Sequence, residues 1–241
     1  MSSFKVVDFA KLSFVFVCLF LSSCVKYYDV SKDEFPQGEK KAIDRDIVAE
    51  NLKSQSVYDQ FSTEAKFSIL YMSDDMRELY TENYCWQNGK DENFKVAMMR
   101  RQFEENRVWK SFYIHAKIYD EDNRSLADKD SLWTFYLETE DGQRIAPVDR
   151  IEVDPIPSEI MSFFGDIYSS FRRTYLFKFP AKDTTGKLYV AEGAKFKMVI
   201  SSPDKQCAIE WQDKIDKKLF SEKKKTKKTK SLGAYEDIYW M

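Results

Sequence analysis

The strongest constraint on this chain is alternation with a period of two. Phe112, Ile114, Ala116 and Ile118 fall on one side of an extended segment, and Tyr113, His115, Lys117 and Tyr119 on the other. Trp133, Phe135 and Leu137 repeat the pattern. Successive side chains of a strand point to opposite faces, so such runs suit half-buried strands and not helices. Glu140-Asp141-Gly142-Gln143 is a hairpin turn signal, and it predicts a partner strand over 144–153. Pro155 and Pro157 end that strand. Further strand patterns cover 175–179, 187–191, 195–201 and 206–211, with turn signals between them. Seven or eight short strands at this spacing predict a mainly β chain, an antiparallel Ig-like β-sandwich. The Cys-Trp-Cys spacing of true immunoglobulin domains is missing, so the likeness is one of architecture.

A helical period interrupts the strands. An extended run over 57–72 puts Ala65, Phe67, Ile69 and Tyr71 on one face. Ser73 then caps a helix with Asp74 and Asp75 in its first turn, where the helix dipole favours acids. Met76, Leu79, Tyr80 and Tyr84 follow at helical spacing until Asn88-Gly89-Lys90 breaks the run. A second helix is expected over 92–108, with Phe94, Val96, Met98, Met99 and Phe103 as its apolar contacts. The two form an inserted α-helical hairpin at about 73–108, set in a sandwich domain over 56–213.

The stretch 158–173 connects two strand patterns and is rich in aromatics. Phe163, Phe164, Ile167, Tyr168 and Phe171 form either an exposed partner-binding patch or the closure of one end of the sandwich. Residues 25–55 are polar and mixed in charge around Pro36-Gln37-Gly38, and read as a tether with a weak helix over 39–53. The tail over 214–241 is lysine-rich and reads as disordered. Net charge is −2, yet 223–230 alone holds six lysines and no acid. The remainder is therefore acidic, which argues against nucleic-acid binding.

Chemistry is thinly marked. There is no GxSxG, HExxH or P-loop pattern. His115 is the one histidine, mid-strand, with no nucleophile or orienting acid beside it in sequence. Carboxylates at Asp120, Glu121, Asp122, Asp128 and Asp130 crowd one loop, but Arg124 takes a ligand position of the EF-hand pattern and Ser125 replaces its turn glycine. No cofactor and no metal site is expected. Cys85 and Cys207 can pair in an oxidising compartment or stay as separate buried thiols.

The N-terminus carries an address. Lys5 and Lys11 precede an apolar run over 12–21, which is too short to span a bilayer. Leu21-Ser22-Ser23-Cys24 closes it. This order resembles the signal peptide of bacterial lipoproteins, and the four residues match their lipobox throughout. Asp8 departs from the usual basic region. The resemblance implies a leader over 1–23, a diacylglycerol on the Cys24 sulfur and acylation of the new amino group, for example by palmitate. Two chains anchor a protein stably to a membrane that it does not span. Val25 follows the cysteine where Asp would retain a lipoprotein at the inner membrane. That implies the outer membrane of a Gram-negative bacterium, with the body in the periplasm.

The stretch 110–211 resembles a group of uncharacterised Gram-negative envelope lipoproteins. The pieces that carry the likeness are SLADKDSLWTFYLETEDGQRIAPVDRIE, YLFKFP and FKMVISSPDKQCAIEW. The resemblance implies a lipid-anchored, β-rich body and assigns no site residue. The expectation is a non-enzymatic binding or scaffold protein for another envelope component. A carrier for an apolar ligand, its cavity between helices and sandwich, is the alternative, and an enzyme with a scattered site comes third.

Overall fold

The computed structural model describes residues 43–213, apart from 60–61, 120–124 and 192. The expected leader, Cys24, most of the expected tether, the head of the acidic loop and the lysine-rich tail lie outside the described residues.

The described chain is mainly antiparallel β, in two sheets. One has five strands in the order β1 (Leu52–Asp59), β2 (Ser62–Tyr71), β3 (Trp109–Ile118), β7 (Arg173–Pro180) and β6 (Asp149–Glu152). The other has four, in the order β5 (Arg144–Ile145), β4 (Thr134–Thr139), β8 (Lys195–Ser201) and β9 (Gln206–Gln212). Their facing sides share one apolar core. Phe67, Ile69, Phe112, Ile114 and Phe177 come from the larger sheet, and Phe135, Leu137, Phe196, Met198 and Trp211 from the smaller. Edge-to-face contacts knit it, with Phe67 and Trp133 centred 5.2 Å apart and Phe135 and Phe177 4.9 Å apart. The Trp211 indole N–H donates to the Asn51 carbonyl at 2.9 Å and ties the smaller sheet to the start of β1.

The even-numbered residues of β3 face this core, as their alternation predicts. The odd-numbered residues face a second layer. Helix α1 (Arg45–Asn51), the hairpin α2 (Asp74–Gln87) and α3 (Glu92–Val108), and α4 (Ser158–Phe164) supply it. Leu70 and Met72 from β2 and its exit pack there against Val48, Met76, Leu79, Ile160, Phe163 and Phe164. The larger sheet is thus covered on both faces over part of its length.

The hairpin is inserted between β2 and β3, which are neighbours in the sheet. Its boundaries follow local chemistry. The Ser73 hydroxyl accepts from the Met76 N–H, and the Asp91 carboxylate from the Phe94 N–H at 2.8 Å. The outer helix is more polar in its packing than expected: Phe94 and Val96 are exposed, Phe94 stacks on Tyr84, and Met98 is the apolar side chain it buries.

Other expectations change in detail. The extended run over 57–72 belongs to a hairpin, β1 against β2. Residues 45–55, expected in the tether, form α1 and the start of β1, because Val48 reaches the second core and Asp44 caps the helix. The single strand expected over 144–153 is split. Ile145 pairs in the smaller sheet and Asp149 begins pairing in the larger one. Pro147, which has no N–H to give a ladder, stands at the switch. The pattern over 187–191 makes only one isolated bridge, Leu188 with Lys182, outside both sheets.

Candidate functional site

His115 occupies the outward face of β3, where alternation puts it. It is wholly buried there, because the chain over 164–169 lies across it. Its Nε2 accepts the Ser169 backbone N–H at 3.0 Å, and its Nδ1 lies 2.9 Å from Thr174 Oγ1 on β7. A nitrogen that accepts carries no proton. The proton therefore sits on Nδ1 and is donated to Thr174. The Tyr168 ring stacks on the imidazole at 5.1 Å, and Phe164 lies at 5.2 Å. Burial, and then the Arg172 guanidinium, hold the imidazole pKa down to about 4. The ring is a neutral clamp, and neither of its partners is a carboxylate.

The clamp fixes the loop that leaves α4. Arg172 Nη1 donates to the Ser68 hydroxyl at 3.3 Å, and Ser68 in turn receives the Ser54 hydroxyl at 2.9 Å. Hydrogen bonds that start from this one loop thus reach β3 and β7 through His115 and Thr174, and β2 and β1 through Ser68 and Ser54. The aromatic stretch accordingly divides. Phe163 and Phe164 belong to the second core and are 1% and 2% exposed, so they are not a docking surface. Tyr168 is half-buried on His115. Ile167 is 38% exposed, and Phe171 is 85% exposed. Helical spacing explains the split: α4 turns Ile160, Phe163 and Phe164 inward, and the following residues pass over the sheet margin.

Two further polar centres escape sequence reasoning. Arg77 is buried beneath the hairpin. Its guanidinium donates to the Met72 carbonyl at 3.1 Å, Gln102 Oε1 at 2.8 Å and the Ser111 hydroxyl at 3.1 Å. Glu105 lies 3.6 Å away and also meets Lys178 at 3.1 Å. Burial lowers the Arg77 pKa, yet the group stays charged at any ordinary pH. At the far end of β2, the Tyr71 hydroxyl donates to Asp213 Oδ1 at 2.9 Å, and Lys110 Nζ donates to Oδ2 at 3.1 Å. Burial, and then Asp213, push the Tyr71 pKa well above the usual phenol range. No local pattern marks either centre. Apart from the Met72 carbonyl, five residues from Arg77, the hydrogen-bonded partners lie 25 to 142 residues apart in sequence.

Cys85 and Cys207 are both free thiols. The pairing left open by the sequence is not made, for a topological reason. Cys85 lies on α2 outside the larger sheet, and Cys207 packs from β9 against the core on its other side. Burial raises both pKa values, that of Cys207 to about 11, so neither is a ready nucleophile. In the acidic loop, Asp120, Glu121 and Asp122 lie outside the described residues. Among the described residues, no three His, Cys, Asp or Glu side chains group as metal ligands. Ser125 donates to Glu152 at 2.6 Å and ties that loop to β6. No helix among the described residues is long and apolar enough to cross a membrane.

Neither a family model nor a curated protein matches the chain. A crystal structure of a protein of unknown function from Burkholderia pseudomallei is similar to it at 11% identity, with a TM-score of 0.31. The match covers 65% of this chain and 77% of that one.

Proposed function

We propose that the protein is a lipid-anchored lipoprotein of the Gram-negative cell envelope, held at the outer membrane by acyl chains on Cys24. Its body then lies in the periplasm and acts as a non-enzymatic binding or scaffold protein for another envelope component. The observation that carries this reading is Leu21-Ser22-Ser23-Cys24 at the end of a short apolar run. We read the two-sheet body as an Ig-like β-sandwich in architecture, supported by the shared core and by the strand that changes sheets at Pro147.

The polar centres support a binding role over a catalytic one. His115, Arg77 and Lys110 are the buried basic groups of the described body, and each spends its hydrogen bonds on holding elements together. The packing of Leu70, Met76, Leu79 and Phe163 between helices and sheet favours the same reading over an apolar-ligand carrier.

Mass spectrometry of the native protein tests the anchor. The expected N-terminal peptide begins at Cys24 and carries diacylglycerol, and Cys24→Ser removes the modification and moves the protein out of the membrane fraction. An unmodified peptide beginning elsewhere overturns the reading. Crosslinking followed by pull-down is expected to recover one defined envelope partner; recovery of abundant proteins in proportion to their abundance counts against a scaffold.

A further inference from the structure

The part of the larger sheet's outer face that the helices leave uncovered has an unusual row of side chains. Lys66 on β2 and Lys117 on β3 are directly opposed in the register. Both are half-exposed. Like charges placed opposite each other across two antiparallel strands destabilise the sheet. Among the described residues, no carboxylate pairs with either lysine. Glu64, two residues before Lys66 on the same face, is engaged by Lys205 at 2.8 Å. Arg172 enters the same region from the far side, its guanidinium reaching Ser68 beside Lys66 on β2. Two cations are thus opposed on adjoining strands and a third, Arg172, reaches in from the loop before β7, with no carboxylate among the described residues paired with them.

Apolar side chains accompany the cations. Tyr119, exposed at the end of β3, lies under Lys117, whose Nζ is 4.7 Å from the ring centre. Phe171 and Ile167 project from the loop that His115 clamps onto this face. Phe171 has no packing reason to be aromatic at 85% exposure. Cations set beside exposed aromatic and aliphatic groups suit the boundary between phosphate headgroups and acyl chains.

From this arrangement we infer that the Lys66–Lys117–Arg172 face docks on a bilayer of anionic, phosphate-bearing lipids, with Phe171 and Ile167 entering the headgroup region. The like-charge pair is tolerated in the free protein and relieved by lipid phosphates. The inference rests on the lipid-anchor reading for the membrane's being within reach. It differs from that reading in giving the body an orientation, with the outer face of the larger sheet toward the bilayer.

The test uses the whole chain after the leader, residues 24–241 with Cys24→Ser, so that no acyl chain contributes. Co-sedimentation is measured with vesicles of phosphatidylglycerol and phosphatidylcholine, and with phosphatidylcholine alone. The parent chain is expected to bind the anionic vesicles and not the zwitterionic ones. Lys66→Gln with Lys117→Gln is expected to weaken binding roughly twentyfold, since each cation near such a surface is worth roughly fivefold. Phe171→Ser weakens it further, and Lys66→Arg with Lys117→Arg retains it. The lysine-rich tail is common to all these chains and cancels in the comparison. The Gln variant is also expected to unfold at an equal or higher temperature, because it removes an opposed like-charge pair. Anionic-vesicle binding as tight in the Gln variant as in the parent overturns the inference, as does equal binding to both vesicle types. Loss of face binding with a lipidated Cys24 in the native protein sinks this inference alone. An unmodified Cys24 with intact face binding sinks the anchor alone.

Discussion

His115 shows how a single titratable group becomes structural. Its Nε2 must be unprotonated to accept the Ser169 N–H, and its surroundings keep it so, with a pKa of about 4 against an ordinary 6.5. Below pH 6.5 the unfolded chain takes up the proton first. The stabilising contribution is therefore complete above pH 6.5 and is lost as pH falls toward 4, by about 3 kcal/mol. His115→Phe removes this dependence and leaves the Ser169 N–H and Thr174 hydroxyl unpaired, at about 1–3 kcal/mol near neutrality. Urea unfolding from pH 7 to pH 4 should show the parent's advantage over the variant shrinking steadily. A constant gap would refute the clamp. The face on which His115 lies was legible from the alternation of β3. Its burial was not, because the cover comes from residues about fifty positions later and no local signal announces it. Lys66 and Lys117 were hidden for the same reason: each is an ordinary strand lysine until the register puts them opposite each other.

Among the elements, the helical hairpin was the most legible, since its period, caps and breaker lie within 36 consecutive positions from Ser73 to Val108. Less legible was the role of Arg77, which anchors α2 to the exit of β2, to α3 and to β3. Arg77→Ala leaves those partners unpaired around a void and should lower stability by about 3–5 kcal/mol. Arg77→Met refills the volume without a buried charge, so a smaller loss of about 1–3 kcal/mol is expected in chemical denaturation. No measurable loss in Arg77→Met would show that Arg77 merely fills space and that its hydrogen bonds contribute nothing. The segment after β6 offers a parallel contrast. Phe163→Ala opens the second core and should cost about 3–5 kcal/mol, whereas Phe171→Ala should stay within about 0.5 kcal/mol. Calorimetric midpoints of the two variants decide the matter. Sequence composition marked both aromatics equally; Phe163 lies on the inward side of α4, whereas Phe171 lies in the loop beyond its end. Where Pro147 divides one apparent strand between two sheets, the preceding turn signal announced a single partner strand and concealed the break.

At the scale of the whole body, the two sheets share a core and are also fastened at their margins. Trp211 donates to the Asn51 carbonyl, Lys205 donates to the Tyr58 carbonyl and Glu64, and Asp213 receives both Tyr71 and Lys110. Each fastening joins the end or edge of the smaller sheet to the larger one, so neither sheet keeps its inner face buried once the other leaves. The described body should therefore unfold in one transition. Asp213 is the sharpest probe, because it stands at the end of β9 and its loss leaves a largely buried ammonium and a buried phenol without their acceptor. Asp213→Ala should lower stability by about 1–3 kcal/mol, reduced from the range for a fully buried pair by the partial exposure of the carboxylate. The single transition should survive: hydrogen exchange in β3 and tryptophan fluorescence should still share a midpoint. Early loss of the fluorescence signal with β3 still protected would mean that the sheets are separable, and that the margin fastenings, more than the core, make them one body.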